Sequence, residues 1–397
     1  MKNIFLSKRS DLDAVYPIVR SLPSSIRSML GTGIASIMGR RQSRQLIPDR
    51  VTVLLTDQCN LKCPHCFISN EDHPAGWEMG LPEYEKLFQS TAGQIGQLVV
   101  SGGEPIIRKD FVEIIRTAEE KGKVSCVLIC TNAVLPENLN TKMEELLKKT
   151  SIVFRVQTSI DGPEDIHDKH RGAKGGYQKV LESMSLMQAL AQEYPGRIGG
   201  LHVNTTITNQ NFDSLAHVIE DVKKYEFTQT FGFVRSPNKH IYNLDNTALI
   251  SGYNPVNFDD FLTVDEMTEA LKIINQNLWK KYPKNLAYGV NRVTLFSIKE
   301  MVRTGRPMTG CKSGRSELII MPNGEVAKCE MLVGFASLKD YNWNLAKLLA
   351  SQKCKDFFEA TSRCFCTHEC SVALSVMYDS SLMGMLFSPN GELKVSQ

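Results

Sequence analysis

Between residues 49 and 235, short apolar runs alternate with longer segments in which apolar residues recur every three or four positions. A short apolar run predicts a strand buried on both faces, and the longer spacing predicts an amphipathic helix. The predicted strands lie at residues 51–56, 97–101, 124–131, 152–160, 198–207 and 228–235. The predicted helices lie at residues 82–93, 109–122, 138–149, 175–193 and 211–224. Repeated β–α units of this kind predict an α/β fold with a parallel sheet and helices outside it.

The pattern changes after residue 240. Residues 242–257 are rich in Asn, Gly and Pro and predict a loop that either caps the sheet or bridges to another domain. A helix is predicted from Thr263 or Asp265 to Lys281. Pro322-Asn323-Gly324 predicts the turn of a β-hairpin over residues 319–329. We therefore expect a helical extension (1–48), an α/β domain (49–240), a connecting loop and helix (241–305) and a small α+β domain (306–397).

The first 50 residues are basic, with nine Lys and Arg against three acidic residues. Apolar residues between Ile26 and Met38 recur at helical spacing after Pro23. Two interpretations stay open. The helix either lies on an anionic membrane or a protein partner through its basic residues, or packs on the open side of the α/β domain.

The overall composition is that of an ordinary globular protein, with 42% hydrophobic and 22% charged residues in a chain of 397. A formal net charge of +3 gives no reason to expect a nucleic-acid partner. No apolar run has the length of a signal peptide or a membrane span, which favours a cytoplasmic protein, with peripheral membrane contact as an option through the N-terminus. The eleven cysteines occur in groups with short spacings, and in a reducing compartment such groups indicate metal ligands rather than disulfides.

Three of these cysteines, Cys59, Cys63 and Cys66, form a CxxxCxxC motif directly after the first predicted strand. They therefore fall on the loop at the carboxyl end of that strand, which is where α/β barrels carry their chemistry. Three thiolates do not complete a structural zinc site or a cubane cluster, which usually take four ligands. The motif thus indicates a metal centre with an open position. The alternatives are a structural zinc loop and three unrelated core cysteines.

The CxxxCxxC motif resembles the signature of the radical S-adenosylmethionine (radical SAM) superfamily. The resemblance implies that Cys59, Cys63 and Cys66 hold a [4Fe–4S] cluster whose fourth iron binds SAM. It also implies that the six β–α units form a partial (β/α)6 barrel. One departure from the family pattern is His65, since an aromatic residue usually precedes the third cysteine.

Two further turns follow predicted strands. Gly102 and Gly103 allow close approach of backbone to a ligand, and Glu104 supplies a carboxylate suited to an ammonium group. In order and spacing, Gly102-Gly103-Glu104 resembles the GGE motif that binds the amino group of SAM. Thr131 and Asn132 end the third strand and resemble the family's TN(G) turn near the cofactor, with Ala133 in place of the usual glycine. Cys126 and Cys130 precede this turn and are predicted to pack in the core.

The fourth strand ends in Ser159-Ile160-Asp161-Gly162-Pro163. Polar residues at the end of a buried strand need a ligand or a hydrogen-bond network. The stretch from Ser159 to Gly172 resembles a segment of radical SAM enzymes with a C-terminal SPASM or Twitch extension, and the resemblance places Ser159 and Asp161 by the cofactor or substrate.

Other polar residues are candidates for the same site. Arg171 suits the carboxylate of SAM, and the alternative is an ion pair with Asp168. Asn204 lies on the polar face of the fifth strand and is a candidate contact to ribose or substrate. Arg235, after the sixth strand, is a candidate contact to substrate. His167 and His170 are expected to be structural.

The C-terminal region contains six more cysteines. Cys311 and Cys329 flank the predicted hairpin, and Cys364, Cys366 and Cys370 follow within seven residues of one another. The set resembles the SPASM/Twitch auxiliary-cluster domain, although six cysteines cannot ligate two clusters with eight thiolates. We therefore expect one auxiliary [4Fe–4S] cluster on Cys311, Cys329, Cys366 and Cys370, with Cys364 as the substitute ligand. A zinc ribbon on the same residues is the alternative.

Together these features predict a radical SAM enzyme that cleaves SAM reductively, abstracts a substrate hydrogen and receives electrons from a donor such as flavodoxin or ferredoxin. The first hypothesis for the substrate is a ribosomal peptide that is oxidised, cross-linked or epimerised. A second is a small polar metabolite, such as a sugar, aminocyclitol or nucleotide sugar, that is dehydrogenated or epimerised. A third, of another class, is a non-catalytic iron–sulfur or zinc scaffold. The sequence identifies no acid, base or hydrogen donor.

Overall fold

The computed structural model describes residues 16–19, 21–23, 26, 30, 33–34, 46–66, 68, 73–235, 241–242, 261–361 and 364–387. The strands are β1 Arg50–Leu54, β2 Gln97–Ser101, β3 Cys126–Cys130, β4 Val153–Ser159, β5 Ile198–Ile207, β6 Thr228–Phe233, β7 Ile241–Tyr242, β8 Glu317–Ile320, β9 Glu325–Ala327, β10 Ala336–Ser337 and β11 Phe365–Cys366. The helices are α1 Leu81–Ser90, α2 Phe111–Gly122, α3 Pro136–Lys149, α4 Glu164–Arg171, α5 Gly176–Glu193, α6 Leu215–Val222, α7 Val264–Ile274, α8 Leu286–Thr304, α9 Leu345–Ala350, α10 Gln352–Ala360, α11 Glu369–Tyr378 and α12 Ser380–Phe387. Among these residues no helix has both the length and the apolar character that crossing a bilayer requires.

The predicted α/β class is confirmed. Strands β1 to β6 are parallel neighbours in chain order, which is the arrangement of a partial (β/α)6 barrel. The main core fills the space between this sheet and its outer helices, and Leu87, Phe111 and Phe154 are buried there. On β4 and β5, buried residues alternate with partly exposed ones. One face of each strand therefore packs in the core, and the other faces the barrel interior.

Local sequence accounts for several of the helix ends. Thr263 caps α7 in a capping box with Glu266, as the predicted helix start at this residue requires. The connection that ends α4 depends on Gly172, which has φ of +63°. A short π-helical turn, Asn275–Trp279, extends α7 close to the predicted end of the helix.

The C-terminal hairpin is confirmed, but it does not form a separate sheet. Strand β8 pairs in parallel with β1, so β8, β9 and β10 extend the barrel sheet beyond its first strand. The sheet order is β10-β9-β8-β1-β2-β3-β4-β5-β6. Residues on the two sides of the expected domain boundary at 306 therefore share one sheet.

Helices α8 and α11 pack against each other, and α8 also packs on β6. Residues of both helices line the barrel cavity, so the pair covers the gap between the two edges of the sheet. Tyr16, Val19 and Ile34 are buried against α8, α11 and α12. The described part of the N-terminal extension thus packs on the covered side of the barrel, while most of the helix expected at residues 26–38 lies outside the described residues, as does the loop at 242–257.

Candidate functional site

A cavity of about 350 Å³ lies inside the barrel and extends to the loops at the carboxyl ends of the strands. This volume is in the range of pockets that hold small organic ligands. Its wall contains ten of the residues that the sequence singled out: Cys59, Cys63, Cys66, Gly102, Gly103, Thr131, Asn132, Ser159, Arg171 and Asn204. Residues from β1 to β5 and their loops therefore converge on one space.

The loop that carries the three motif cysteines is fixed at its start by Arg108, a residue that the sequence pattern did not indicate. Arg108 donates hydrogen bonds to the carbonyl oxygens of Leu55 (2.7 Å) and Met79 (3.0 Å). Its guanidinium is also paired through two 2.8 Å bonds with Asp110. Because Leu55 lies four residues before Cys59, this clamp fixes the start of the loop. An arginine followed two residues later by an aspartate was the only sequence signal for it.

The turn at Gly102 and Gly103 packs against the cysteine loop and is hydrogen-bonded to it. The Gly103 N–H donates to the carbonyl of Thr56 (2.7 Å), and the Glu104 N–H donates to the carbonyl of Gln58 (2.9 Å). Gly102 has φ of +132°, and a Cβ at this position would lie 2.2 Å from the Thr56 oxygen. A side chain at either glycine would push the turn away from the loop that carries Cys59.

Replacing Gly103 by alanine is expected to disturb the cysteine loop. The new Cβ would lie 2.2 Å from the carbonyl oxygen of Gln58, so the backbone has to shift. We expect a loss of stability of about 1–3 kcal/mol and less iron bound after reconstitution. Gly33→Ala is the matched control, because nothing lies within 4 Å of its Cβ position. Equal melting temperatures and iron contents for the two variants would contradict this account.

The structure places the Glu104 carboxylate differently from the expected contact with a ligand ammonium. Glu104 is fully buried, and its oxygens accept backbone N–H groups from Asn132 (2.7 Å) and Ile106 (3.3 Å). Burial raises the pKa of Glu104 to about 7, against the lowering effect of these hydrogen bonds. The physical reason is that the chain turns away from the cavity after Gly103. The Glu104 side chain therefore links the Gly102-Gly103 turn to the Thr131-Asn132 turn instead of lining the cavity.

Asn132 connects the third turn to the cysteine loop. Its side-chain amide donates to Asn60 (2.8 Å) and lies 3.8 Å from the Cys59 sulfur. The Thr131 hydroxyl accepts the backbone N–H of Ala133 (3.1 Å). Ala133 has φ of +58°, a conformation that glycine adopts at lower cost, which explains why glycine is usual in the TN(G) turn.

Asp161 is also turned away from the cavity. It is fully buried, and its carboxylate accepts hydrogen bonds from Arg171 (2.6 Å) and from the backbone N–H of Thr206 (2.8 Å). Burial raises the pKa of this carboxyl, but Arg171 and the nearby His170 hold it well below its usual range. The expected contact of Asp161 with cofactor or substrate is therefore replaced by a structural role, and Arg171 pairs with Asp161 rather than with Asp168.

Ser159, Arg171 and Asn204 keep an open side toward the cavity. Arg171 remains next to the cysteine loop, since the Cys63 thiol lies 3.6 Å from its carbonyl oxygen. The Nε of Arg171 is used by Asp161, so a ligand carboxylate would meet the remaining N–H groups. The roles of these three residues toward a cofactor stay predictions.

Four of the six C-terminal cysteines influence one another's pKa, and Cys354 and Cys370 stand apart from them. Burial and the neighbouring thiols of Cys366, Cys311 and Cys364 raise the pKa of Cys329 well above its ordinary value. Cys311 and Cys364 likewise raise the pKa of Cys366, so these four side chains lie close together. The corresponding influences on Cys370 come from carboxylates.

Cys364 belongs to this group by these influences and Cys370 does not, and which of the two is the fourth auxiliary ligand stays a prediction. The group comes together because β11, which carries Cys366, pairs with β7 just after the barrel strands. Cys354 belongs to the main core and lies outside this group.

The wall of the cavity also carries Arg235, which was a candidate from sequence, and Glu330, which was not. Arg235 forms an ion pair with Glu330 (3.2 Å), and His368 lies at hydrogen-bond distance from the same carboxylate (3.2 Å). Burial raises the pKa of Glu330, but Arg235 and His368 lower it to about 2. Glu330 is thus ionised at neutral pH. Its position directly after Cys329 was the one signal that could have identified it.

The residues present fit the groups that the motifs imply. Three thiols at the cavity edge match a cluster with one open iron, and the glycine turn leaves room for a ligand to approach the backbone. The four grouped thiols match one closed auxiliary cluster. The chemistry of the two donor sets therefore agrees with two iron–sulfur clusters, and assignment of individual ligands stays a proposal.

Comparison with known proteins gives the same picture. The model of the radical SAM superfamily matches residues 53–222. The chain is 28% identical over 231 residues to Fe-coproporphyrin III synthase of Methanosarcina barkeri, which covers 58% of this chain and 51% of that protein. It is 34% identical over 177 residues to PqqA peptide cyclase of Rhodopseudomonas palustris, and this alignment covers 44% of this chain and 43% of the relative. The chain thus spans about half the length of these relatives or less.

Among solved structures, the fold resembles that of native anSMEcpe with bound AdoMet and a Cp18Cys peptide. The TM-score is 0.54 at 17% identity, covering 78% of this chain and 81% of that one. On its motifs, its fold and the family match, residues 53–222 form a domain of the radical SAM superfamily, whose enzymes use a [4Fe–4S] cluster and SAM.

Proposed function

We propose that this protein is a radical SAM enzyme that removes a hydrogen atom from a ribosomal peptide. In this proposal Cys59, Cys63 and Cys66 hold the catalytic [4Fe–4S] cluster. An auxiliary [4Fe–4S] cluster is held by the four grouped cysteines, namely Cys311, Cys329, Cys364 and Cys366. When SAM and the cluster are bound, they supply a 5′-deoxyadenosyl radical.

One observation carries the proposal. The cysteine loop, the glycine turn and the Thr131-Asn132 turn come from three different strands, yet all line one cavity. A scaffold protein with a structural cluster does not need an open cavity beside three thiols. A closed zinc site would add a fourth ligand to the three thiols, whereas here the loop that carries them opens onto the cavity.

The chain's own residues position the ligand. Gly102 and Gly103 present backbone groups at the cavity wall, and Arg171 offers a cation next to the cysteine loop. Asn132 ties the third turn to that loop through Asn60. Because these groups are braced by buried bonds from Glu104 and Asp161, the site is preorganised before a ligand enters.

The choice of a peptide as substrate has two supports. The structure whose fold the chain shares over 78% of its length was solved with a peptide. One relative is named as a peptide cyclase. The matches to Fe-coproporphyrin III synthase and to the peptide cyclase both cover about half of the chain, the share expected when enzymes have the cofactor-binding barrel in common. The peptide in the solved structure therefore has the greater weight in the choice of substrate.

The test uses the full chain, reconstituted with iron and sulfide without oxygen. We expect about eight irons per chain and formation of 5′-deoxyadenosine from SAM with a chemical reductant. Synthetic peptides from short reading frames beside the gene are then added, and one of them should stimulate turnover and change in mass or stereochemistry.

Iron coproporphyrin III and an aminocyclitol are the comparison substrates. Turnover of either, with none of any peptide, would overturn the peptide assignment. Absence of 5′-deoxyadenosine from well-reconstituted protein would overturn the enzyme assignment as a whole. Replacing the reductant by flavodoxin or ferredoxin tests the expected electron donor.

A further inference from the structure

Lys328 is a buried lysine beside the C-terminal cysteines. It is 5% exposed, and its ammonium donates hydrogen bonds to the carbonyl oxygen (2.8 Å) and the hydroxyl oxygen (3.2 Å) of Thr361. Both acceptors are neutral. In the described parts of the chain, no carboxylate lies within ion-pair distance of this ammonium. A buried ammonium that has only neutral partners carries a large desolvation cost.

A second buried lysine shows how such a charge is usually compensated. Among the lysines that the structure describes, only Lys299 and Lys328 are buried. Lys299 forms an ion pair with the carboxylate of Glu300 (3.1 Å). Its charge is therefore balanced by a side chain. Lys328 lacks such a carboxylate and needs an anion of another kind.

A metal cluster on the neighbouring thiols is the anion that fits this place. Lys328 directly precedes Cys329, whose thiol is buried in an apolar cluster. The Thr361 carbonyl oxygen that binds the ammonium also accepts the backbone N–H of Cys364 (3.3 Å). A cubane cluster with thiolate ligands carries net negative charge. Because the surroundings are apolar, a cation and an anion interact more strongly here than in water.

We propose that Lys328 compensates the negative charge of the auxiliary cluster and thereby raises its reduction potential. This inference rests on the proposed function, which places that cluster on the C-terminal cysteines. It does not depend on the choice between Cys364 and Cys370, since Cys329 is a ligand in both assignments. Reduction adds one electron to the cluster, so a fixed cation beside it favours the reduced form. Lys328 is thus a positioning residue that acts through the cluster.

Three substitutions separate the charge of Lys328 from its hydrogen bonds. Lys328→Gln removes the charge and keeps an N–H donor, Lys328→Met removes both, and Lys328→Arg keeps the charge. If the charge sets the potential, the glutamine and methionine variants behave alike and the arginine variant resembles the wild type. If the hydrogen bond to Thr361 is what counts, the glutamine variant resembles the wild type instead.

The reduction potential is measured by a redox titration that is followed by electron paramagnetic resonance. The full chain is reconstituted with iron and sulfide in the Cys63→Ala background, where we expect only the auxiliary cluster and about four irons to remain. At a fixed potential, the ratio of reduced to oxidised cluster should fall about tenfold in Lys328→Gln and Lys328→Met, which corresponds to a potential about 59 mV lower for one electron. In Lys328→Arg the ratio should stay close to that of the unsubstituted background.

Lys142→Met is the matched control. Lys142 is a partly buried lysine whose ammonium also donates to neutral oxygens, the carbonyls of Ile106 (2.7 Å) and Arg108 (2.6 Å). It belongs to α3, which packs on α2 and α5 on the outside of the barrel. We expect this variant to leave the potential of the auxiliary cluster unchanged. An equal shift in Lys142→Met would be a general effect of removing a charge and would overturn the proposal.

The other outcomes each decide between the two levels of the argument. If the Cys63→Ala protein binds no cluster, the auxiliary cluster of the proposed function is refuted together with the role of Lys328. If the cluster is present and the potential of Lys328→Gln equals that of the background, the role of the charge is refuted and the proposed function stands. Loss of iron from the two neutral variants but not from Lys328→Arg would support the compensating charge. Loss of iron from all three would make Lys328 a structural residue and overturn the proposal.

Discussion

Replacing Cys63 by alanine is expected to abolish formation of 5′-deoxyadenosine and to lower the iron content from about eight to about four per chain. In the proposed function the motif loop offers three thiols to the catalytic cluster, and Cys63 is the central one. With two ligands left, the cluster has no fixed place from which to bind SAM. Iron is measured colorimetrically after anaerobic reconstitution, and the nucleoside by chromatography.

Cys354→Ala is the control for this experiment. Cys354 is buried in the main core and belongs to neither group of proposed ligands. Its truncation should cost about 1 kcal/mol of stability and leave about eight irons bound. If Cys63→Ala cleaved SAM as the wild type does, Cys59, Cys63 and Cys66 would not form the catalytic cluster site.

Replacing Asp161 by asparagine should have the largest effect on stability. Arg171 would lose its buried partner, and the Thr206 N–H would face a weaker acceptor. Breaking one side of a buried ion pair costs about 3–5 kcal/mol, because the remaining charge stays buried without compensation. Urea unfolding gives the difference in free energy, and Asp213→Asn, an exposed aspartate, should change it by less than about 0.5 kcal/mol.

The pH dependence of this effect has a definite sign. The folded-state pKa of Asp161 lies well below that of a free aspartate, so the folded protein favours the ionised form. The stabilisation is therefore complete above the unfolded-state pKa of about 4 and is lost as the pH falls through the folded-state value. We expect the gap between wild type and Asp161→Asn to be constant near neutral pH and to shrink in acid. A gap that grows on acidification would contradict the ion-pair account.

For Glu104 and Asp161 the sequence pattern did not determine the direction in which the side chain points. Both follow a strand, both are polar, and both lie in motifs that resemble cofactor-binding segments. The position of a carboxylate at the end of a strand does not say to which side the turn bends. In the structure both carboxylates are buried away from the cavity: Glu104 accepts the N–H of Asn132 in the next turn, and Asp161 accepts the N–H of Thr206 in β5. They brace the site that they were expected to line.

The spacing of the C-terminal cysteines along the chain likewise does not determine which of them lie close together. Spacing along the chain favoured the CxxxC pair Cys366 and Cys370. In the structure Cys366 lies in β11, which pairs with β7, whereas Cys370 lies in the first turn of α11 and lines the barrel cavity. Such a separation depends on a strand pairing between residues more than 120 positions apart, which no local pattern encodes.

The sequence by itself determined the α/β class, the six strands and the motif loops, because apolar periodicity and turn residues act over a few neighbouring positions. It also determined the chemistry of the site, since thiols at fixed spacing have few other uses. Only the tertiary structure decided that the C-terminal hairpin joins the barrel sheet at β1, that Arg108 clamps the cysteine loop and that Cys370 faces the cavity. Each of these depends on contacts between distant segments, which form only when the whole chain packs around one core.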